Sequence, residues 1–323
     1  MGKACRFISA VLLACCASLA MSQNYPARPI RLIVPFPPGG ALDGYARIIQ
    51  PALSQELGQA IVIENQPGAG GLIGATAVAK AAPDGYTLLA GNIQTLALNS
   101  AVYPQMPYDP LKDFTPIVQT VKVNYVLVVN SKVPAANVAE LIAYAKANPG
   151  KLTYATSGSG SAQHLAVVLF MARTGINLTH VPYKGVGALT QDLLGGTVDM
   201  AIADQASMMS HVRAGTLRAL ALAGTKRSTD LPDLPTIAEA ANIPGYEAVA
   251  WQGLAGPAHL PPSIVQRLNE AVRKVQAQPA LHERLAGLAY TPVGGSPEEF
   301  ARYIRDEIAK WAKLAREHKV TVD

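Results

Sequence analysis

The chain has 323 residues, half of them hydrophobic and 15% charged, with a formal net charge of +5. A chain of this length can bury a sizeable core and favours two domains over one. Its basic residues are scattered, with no Lys/Arg run and no interleaved aromatic stripe, which argues against nucleic acid as a partner.

The first segment reads as an export signal, residues 1–22. Lys3 and Arg6 precede an apolar run from Phe7 to Ala20, and small residues stand at Ser18 and Ala20. A basic start, a short apolar stretch and a small-x-small end form the pattern that signal peptidases cut. The run is about 14 residues, short of the roughly 20 needed to span a bilayer. The rival is a lipoprotein signal at Cys15 or Cys16, disfavoured because Leu13 or Cys15 would sit badly just before the modified cysteine. Cys5, Cys15 and Cys16 are the only cysteines and all lie in this segment. The mature chain then has no disulfide, thiolate metal site or cysteine nucleophile. It is expected in an oxidising, extracytoplasmic space, with a net charge near +3 once Lys3 and Arg6 are gone.

Strand and helix patterns alternate from there. Pro29–Val34 is a short apolar strand closed by Pro35-Phe-Pro-Pro-Gly-Gly40, and a helix pattern runs from Asp43 to Leu57. Ala60–Glu64 is a strand, Asn65–Gly71 a glycine-rich loop, Leu72–Ala81 a helix and Tyr86–Ala90 a strand. The pattern resumes with the strand Tyr125–Val129 and helix Asn137–Ala147, then the strand Leu152–Ala155 and helix Ala162–Thr174. Strands at Leu178–Val181, Met200–Ala203 and Leu217–Leu222 follow, with helices at Ala188–Leu194, Met208–Ala214 and Ile237–Ala241. Two amphipathic helices, Ser263–Gln278 and Pro297–His318, close the chain; Ser296, Pro297, Glu298 and Glu299 make a strong helix start.

This repetition predicts an α/β protein built on parallel sheets with helices on both faces. Two units of similar size and a helical last quarter fit a discontinuous first domain, 25–122 with 249–323, around a contiguous second, 123–248. The crossovers fall near Gln119–Tyr125 and Glu247–Gly253.

Three loops between a strand and a helix are placed to hold an anion. Ligands of open α/β sheets sit beyond the carboxyl ends of strands, where the next helix offers free N–H groups and a positive dipole end. The loops are Pro37–Asp43, Asn65–Gly74 and Thr156–Ser161. The last offers hydroxyls and bare amides, with helix capping by Ser159 or Ser161 as the structural alternative. Enzyme readings find less. The glycines of Gly68–Gly74 lack G-x-G-x-x-G spacing, and the serine cluster lacks the first glycine of a G-x-S-x-G elbow. The histidines are dispersed, with no H-E-x-x-H and no i, i+4 pair, so no metal site is predicted. Asp43 and Asp204 are candidate acid/base carboxylates, but no triad assembles around them. No cofactor is expected.

Several segments, in order, resemble one family: Pro35–Asp43, Asn65–Gly71, Pro83–Leu88, His180–Gly185, Asp192–Asp199, Gly215–Leu220, Pro244–Glu247 and Trp251–Leu254. Together they resemble the substrate-binding proteins of tripartite tricarboxylate transporters, the Bug family, over essentially the whole mature chain. The resemblance implies a periplasmic, two-lobed Venus-flytrap protein of the type II-like periplasmic-binding-protein fold. It implies a small carboxylate ligand, a dicarboxylate, tricarboxylate or aromatic acid, gripped by loop amides, hydroxyls and water. It also implies a membrane partner of one large and one small integral subunit, with the receptor itself a monomer.

Carried over, the first-lobe contacts are Phe36, Gly39, Gly40, Asp43, Ala69, Gly70 and Asn92. The second lobe offers Ser157, Gly158, Ser161 and His164, with Tyr183 and Asp204. The family often follows this aspartate with asparagine, whereas Gln205 stands here. Lys184 is expected to be structural, and Trp251 to pack at the crossover or to wall a flat ligand. Two rivals stay open from the residues alone: an exported hydrolase or isomerase on the same scaffold, and a ligand-sensing partner of a membrane signalling protein.

Overall fold

The computed structural model describes residues 25–228 and 231–322. The expected leader, 1–22, and its three cysteines lie outside the described residues.

The first sheet holds β1 (Ile30–Val34), β2 (Ile61–Asn65), β3 (Thr87–Asn92), β4 (Phe114–Val123), β10 (Ala250–Pro257) and β11 (Tyr290–Gly294), of which β1, β2 and β4 are rich in Ile and Val. The second sheet holds β5 (Tyr125–Asn130), β6 (Thr153–Thr156), β7 (Thr179–Pro182), β8 (Met200–Asp204) and β9 (Leu217–Leu222). Their orders are β11-β4-β10-β3-β1-β2 and β7-β6-β8-β5-β9. Every residue of β5 is buried, as expected of a strand covered on both faces.

The sheets are mixed, which corrects the parallel arrangement expected from the β-loop-α repetition. β2, β1 and β3 run parallel, but β10 pairs antiparallel with β3 and β4, and β11 antiparallel with β4. In the second sheet β5 is antiparallel to both β8 and β9. The reversed strands flank the passages between sheets: β4 ends at Val123 and β5 begins at Tyr125, while the return passes Val249 into β10. β5 and β10, which enter directly from the other sheet, run against the strands beside them, and β11, which follows the helix Pro279–Ala286, runs against β4.

Helices cover the sheet faces. The helix Ala41–Leu57 buries Leu42, Tyr45, Ala46, Ile49, Leu53 and Leu57, a three-to-four-residue stripe, and ends on Gly58 in the left-handed region (φ 71°). It shares a core with the helix Pro262–Gln276 on one face of the first sheet. On the other face lie the helices Leu72–Ala79 and Pro297–Glu317, and that core runs on into the second lobe. The start of Pro297–Glu317 is the capping box anticipated at Ser296, with Glu299 reaching back. A third buried cluster, including Leu189, Leu193 and Met208, covers the far side of the second sheet.

Candidate functional site

A cavity of about 600 Å³ lies where loops of the two sheets meet. Four helices begin on its wall: Ala41–Leu57 after Gly40, Ala162–Thr174 after Ser161, Val186–Gly195 after Gly185 and Gln205–Arg213 after Asp204. The first N–H groups of an α-helix have no intrahelical acceptor and carry the positive end of its dipole. At the first of these helices Gly40 supplies no side-chain cap. The amides of Ala41, Leu42 and Asp43 accordingly have no acceptor among the described residues.

The Pro37–Gly40 turn is held from behind. Asp43 Oδ2 accepts from Gly39 N (2.9 Å) and Arg47 Nε (2.8 Å), while Oδ1 accepts from Asn65 Nδ2 (2.9 Å). Asn65 Nδ2 also donates to Phe36 O. The Arg47 hydrogen bond, aided by those from Gly39 and Asn65, outweighs burial and holds the Asp43 carboxyl down at about 2. Asp43 therefore shapes the turn with an acceptor set already filled by the protein. Beside it, Gly70 adopts φ 61° and leaves room for the Tyr103 hydroxyl, 3.0 Å from where a Cβ would stand. Asn92 spends Oδ1 on Thr95 N and Oγ1, leaving its Nδ2 to the cavity.

The Thr156–Ser161 loop is more self-contained than its sequence implies. Ser157 N donates to Gln163 Oε1, Gly158 N to Thr156 Oγ1, Gly160 N to His164 Nδ1 and Ser161 N to Gly158 O. Of its five amides from Ser157 to Ser161, only that of Ser159 lacks an acceptor among the described residues. Ser161 is also committed: Oγ donates to Gly158 O at 2.7 Å and caps His164 N. The Ser157 hydroxyl lines the cavity and has no such partner among the described residues.

His164 lies behind this loop. Its ring stacks on His180 (centroids 4.0 Å apart), which stacks on Tyr154 at 4.8 Å. Burial, reinforced by His180, pushes His164 down to about 4, so the ring is neutral and accepts from Gly160.

Of the residues singled out in the sequence, Phe36, Gly40, Asp43, Gly70, Asn92, Ser157, Gly158, Ser161 and Asp204 line the cavity. Gly39, Ala69, His164 and Tyr183 do not. The Tyr183 hydroxyl donates to Asp192 Oδ2 at 2.6 Å, bracing the helix Val186–Gly195. Trp251 reaches the wall, but its ring is fully buried, with Nε1 bonded to Glu307 Oε2 (2.9 Å). Sequence reasoning missed Tyr103, Gln94, Gln163, Gly185, Val186, Gln252 and Val322. Gln252 carried one signal: a lone polar side chain in the apolar run Ala248–Leu254. It is 4% exposed and its amide has no hydrogen-bond partner among the described residues.

The two lobes touch across the cavity. Gln94 Nε2 donates to Gly160 O (3.3 Å), and Gly160 packs on Val102 and Val322. Among the described residues no Lys, Arg or His lines the cavity, and its charged residues are Asp43 and Asp204. Burial pushes the Asp204 carboxyl up to about 6. Among the described residues no group of three or more His, Cys, Asp or Glu is placed to hold a metal, and no helix is long and apolar enough to cross a membrane.

Residues 45–320 match the model of the tripartite tricarboxylate transporter family receptor. The protein BugT of Bordetella pertussis is 40% identical over 302 residues, 93% of this chain and 92% of that one. Rpa4515 of R. palustris, solved with adipate, is 39% identical with a TM-score of 0.82, covering 92% of this chain and 99% of that one. MatC of Rhodopseudomonas palustris, solved with malate, is 33% identical with a TM-score of 0.78, covering 90% and 99%.

Proposed function

This chain belongs to the tripartite tricarboxylate transporter receptor family, and on that footing we propose that it captures a small carboxylate in the periplasm and delivers it to a membrane transporter. The observation that carries the reading is the cavity wall: helix N-termini, free amides and neutral hydroxyls and amides, with no cation. Such a site holds an anion through charge-assisted hydrogen bonds and dipole ends. The adipate and malate held by Rpa4515 and MatC agree with a carboxylate.

In this reading the ligand carboxylate docks on the amides of Gly40, Ala41, Leu42 and Gly70, with Asn92 Nδ2 beside it. The Ser157 hydroxyl and Ser159 amide close on it from the second lobe. Asp43 and His164 position these loops without touching the ligand. The lobes are 25–122 with 249–323 and 123–248, and they turn about the paired passages at Asn124 and Val249. Ligand stabilises the closed form, which the transporter reads as an occupied receptor.

Thermal-shift measurement of the purified mature protein against mono-, di- and tricarboxylates tests the proposal. A ligand of the native state at about a hundred times its Kd adds about 2.7 kcal/mol of stability and raises Tm. A flat response across all acids overturns it.

A further inference from the structure

Asp204 stands apart from the rest of the cavity. It ends β8 at the N-terminus of the helix Gln205–Arg213, yet its side chain caps nothing there. Its carboxylate faces the cavity and receives no hydrogen bond from any other described residue. Asp43, the other carboxylate on the wall, differs in having its acceptor sites filled from within the protein. A part-buried carboxylate on the cavity wall, bonded within the protein by its own backbone N–H alone, is better satisfied by a ligand that supplies a donor.

The groups around Asp204 do not offer a countercharge. Its cross-strand neighbour on β5 is Tyr125, and Tyr290 on β11 also feels its charge. Burial raises Tyr125 well above the usual phenol range and Tyr290 to about 12, so both stay neutral at ordinary pH. The Tyr290 hydroxyl is already donated to Ala41 O. Gln252, on the wall of the same cavity, presents an amide that is likewise unbonded. The site therefore combines one anion-receiving set of amides with one acceptor that repels a second anion.

Resting on the carboxylate reading above, we propose that Asp204 selects acids carrying a hydrogen-bond donor besides their carboxylate, such as an amide, hydroxyl or ammonium group, and discriminates against fully ionised dicarboxylates. A dicarboxylate enters well only when one proton is shared between its second carboxyl and Asp204. Burial of Asp204 raises its proton affinity and puts that sharing within reach of mildly acidic solution.

Adipate and its half-amide, adipamate, have the same length and differ in one ionised group, so the pair isolates the effect. Calorimetric titration of the full mature protein at about pH 8 and about pH 5, with wild type and Asp204→Asn, gives the test. The expected result is adipamate bound at least about tenfold more tightly than adipate by wild type at the higher pH, since like charges brought together cost several kcal/mol. Adipate affinity is expected to rise on acidification, and Asp204→Asn to level both the preference and the pH dependence. Adipate bound as tightly as adipamate at the higher pH, or a preference that survives Asp204→Asn, overturns the inference and leaves the carboxylate reading standing. If wild type binds neither acid nor any other carboxylate, the broader reading falls and takes this one with it. The pH dependence of wild type decides the matter even if Asp204→Asn fails to fold.

Discussion

Asp43 offers the sharpest test of how the first-lobe loop is built. Replacing it with alanine strips three donors of their acceptor: Gly39 N, Arg47 Nε and one Asn65 hydrogen. The guanidinium is half exposed and rehydrates, so its loss costs little. Asn65 keeps its bond to Phe36 O. What remains is the amide of the exposed Gly39, which water can reach, and part of the Asn65 amide, both formerly paired with a charge. Bonds to charged groups contribute about 1.5–3 kcal/mol each when their donors cannot rehydrate, so with Gly39 and Arg47 open to water the expected destabilisation is about 1–3 kcal/mol.

The freed Pro37–Gly40 turn must then be reordered whenever ligand binds, and about 1.4 kcal/mol corresponds to tenfold in Kd. Carboxylate affinity is therefore expected to fall about ten- to a hundred-fold. Urea unfolding gives the first quantity and calorimetry the second. Asp43 has a folded-state pKa of about 2 against an ordinary 3.8, so its contribution is present above the ordinary value and disappears as pH falls through the lower one. The defect should be constant from about pH 5 to about pH 8. A variant within about 0.5 kcal/mol of wild type, binding acids unchanged, refutes the claim that Asp43 holds the loop.

Three further outcomes follow from the geometry. His164 is neutral in the native state with its pKa held near 4, whereas the unfolded chain protonates it near 6.5; stability is complete above the higher value and is lost towards the lower. Calorimetric Tm should fall between about pH 7 and about pH 5, with up to about 3 kcal/mol at stake, and His164→Asn, which keeps an acceptor for Gly160 N, should flatten the profile. Glu307→Ala leaves the indole N–H groups of Trp251 and Trp311 buried without an acceptor. That should cost about 3–5 kcal/mol in guanidinium unfolding followed by tryptophan fluorescence, and a loss under about 1 kcal/mol would contradict it. Gly160→Ala places a methyl group into Val322 Cγ2 at a φ of 72°, so it should weaken acid binding by holding the lobes apart; unchanged affinity would mean that this contact is not part of the bound state.

Much of the fold was legible because local patterns carried it. Ala162–Thr174 and Leu217–Leu222 coincide with the expected helix and strand, and Ser296 caps where a serine-proline-acid start predicts. β4 and β11 were not legible: Pro116, Gln119, Thr120 and Lys122 interrupt one, and Pro292 the other. Their pairing partners lie far away in sequence, so nothing local announces their direction. The glycine loops could be found because glycines such as Gly39, Gly70, Gly158 and Gly160 adopt backbone angles that other residues resist. Which of their amides stay free could not be read. Gln163 carries no signal in the sequence and His164 was expected to contact the ligand, yet the two occupy the donors of Ser157 and Gly160. Gln252, Tyr103 and Val322 reach the cavity only through tertiary return.

The position of β10 bears on the order in which the molecule assembles. It is hydrogen-bonded on both edges, to β3 and β4, and so sits in the interior of the first sheet although it follows the entire second sheet in sequence. The strands β5 to β9 are contiguous and complete by Leu222, whereas the first sheet waits for residues 250–257. Contacts of long sequence separation form slowly because their loop entropy must be overcome first. A chain halted before Ala250 carries a finished second sheet beside unpaired edges of β3 and β4. Those edges are the surface through which an incomplete molecule would aggregate or engage a chaperone.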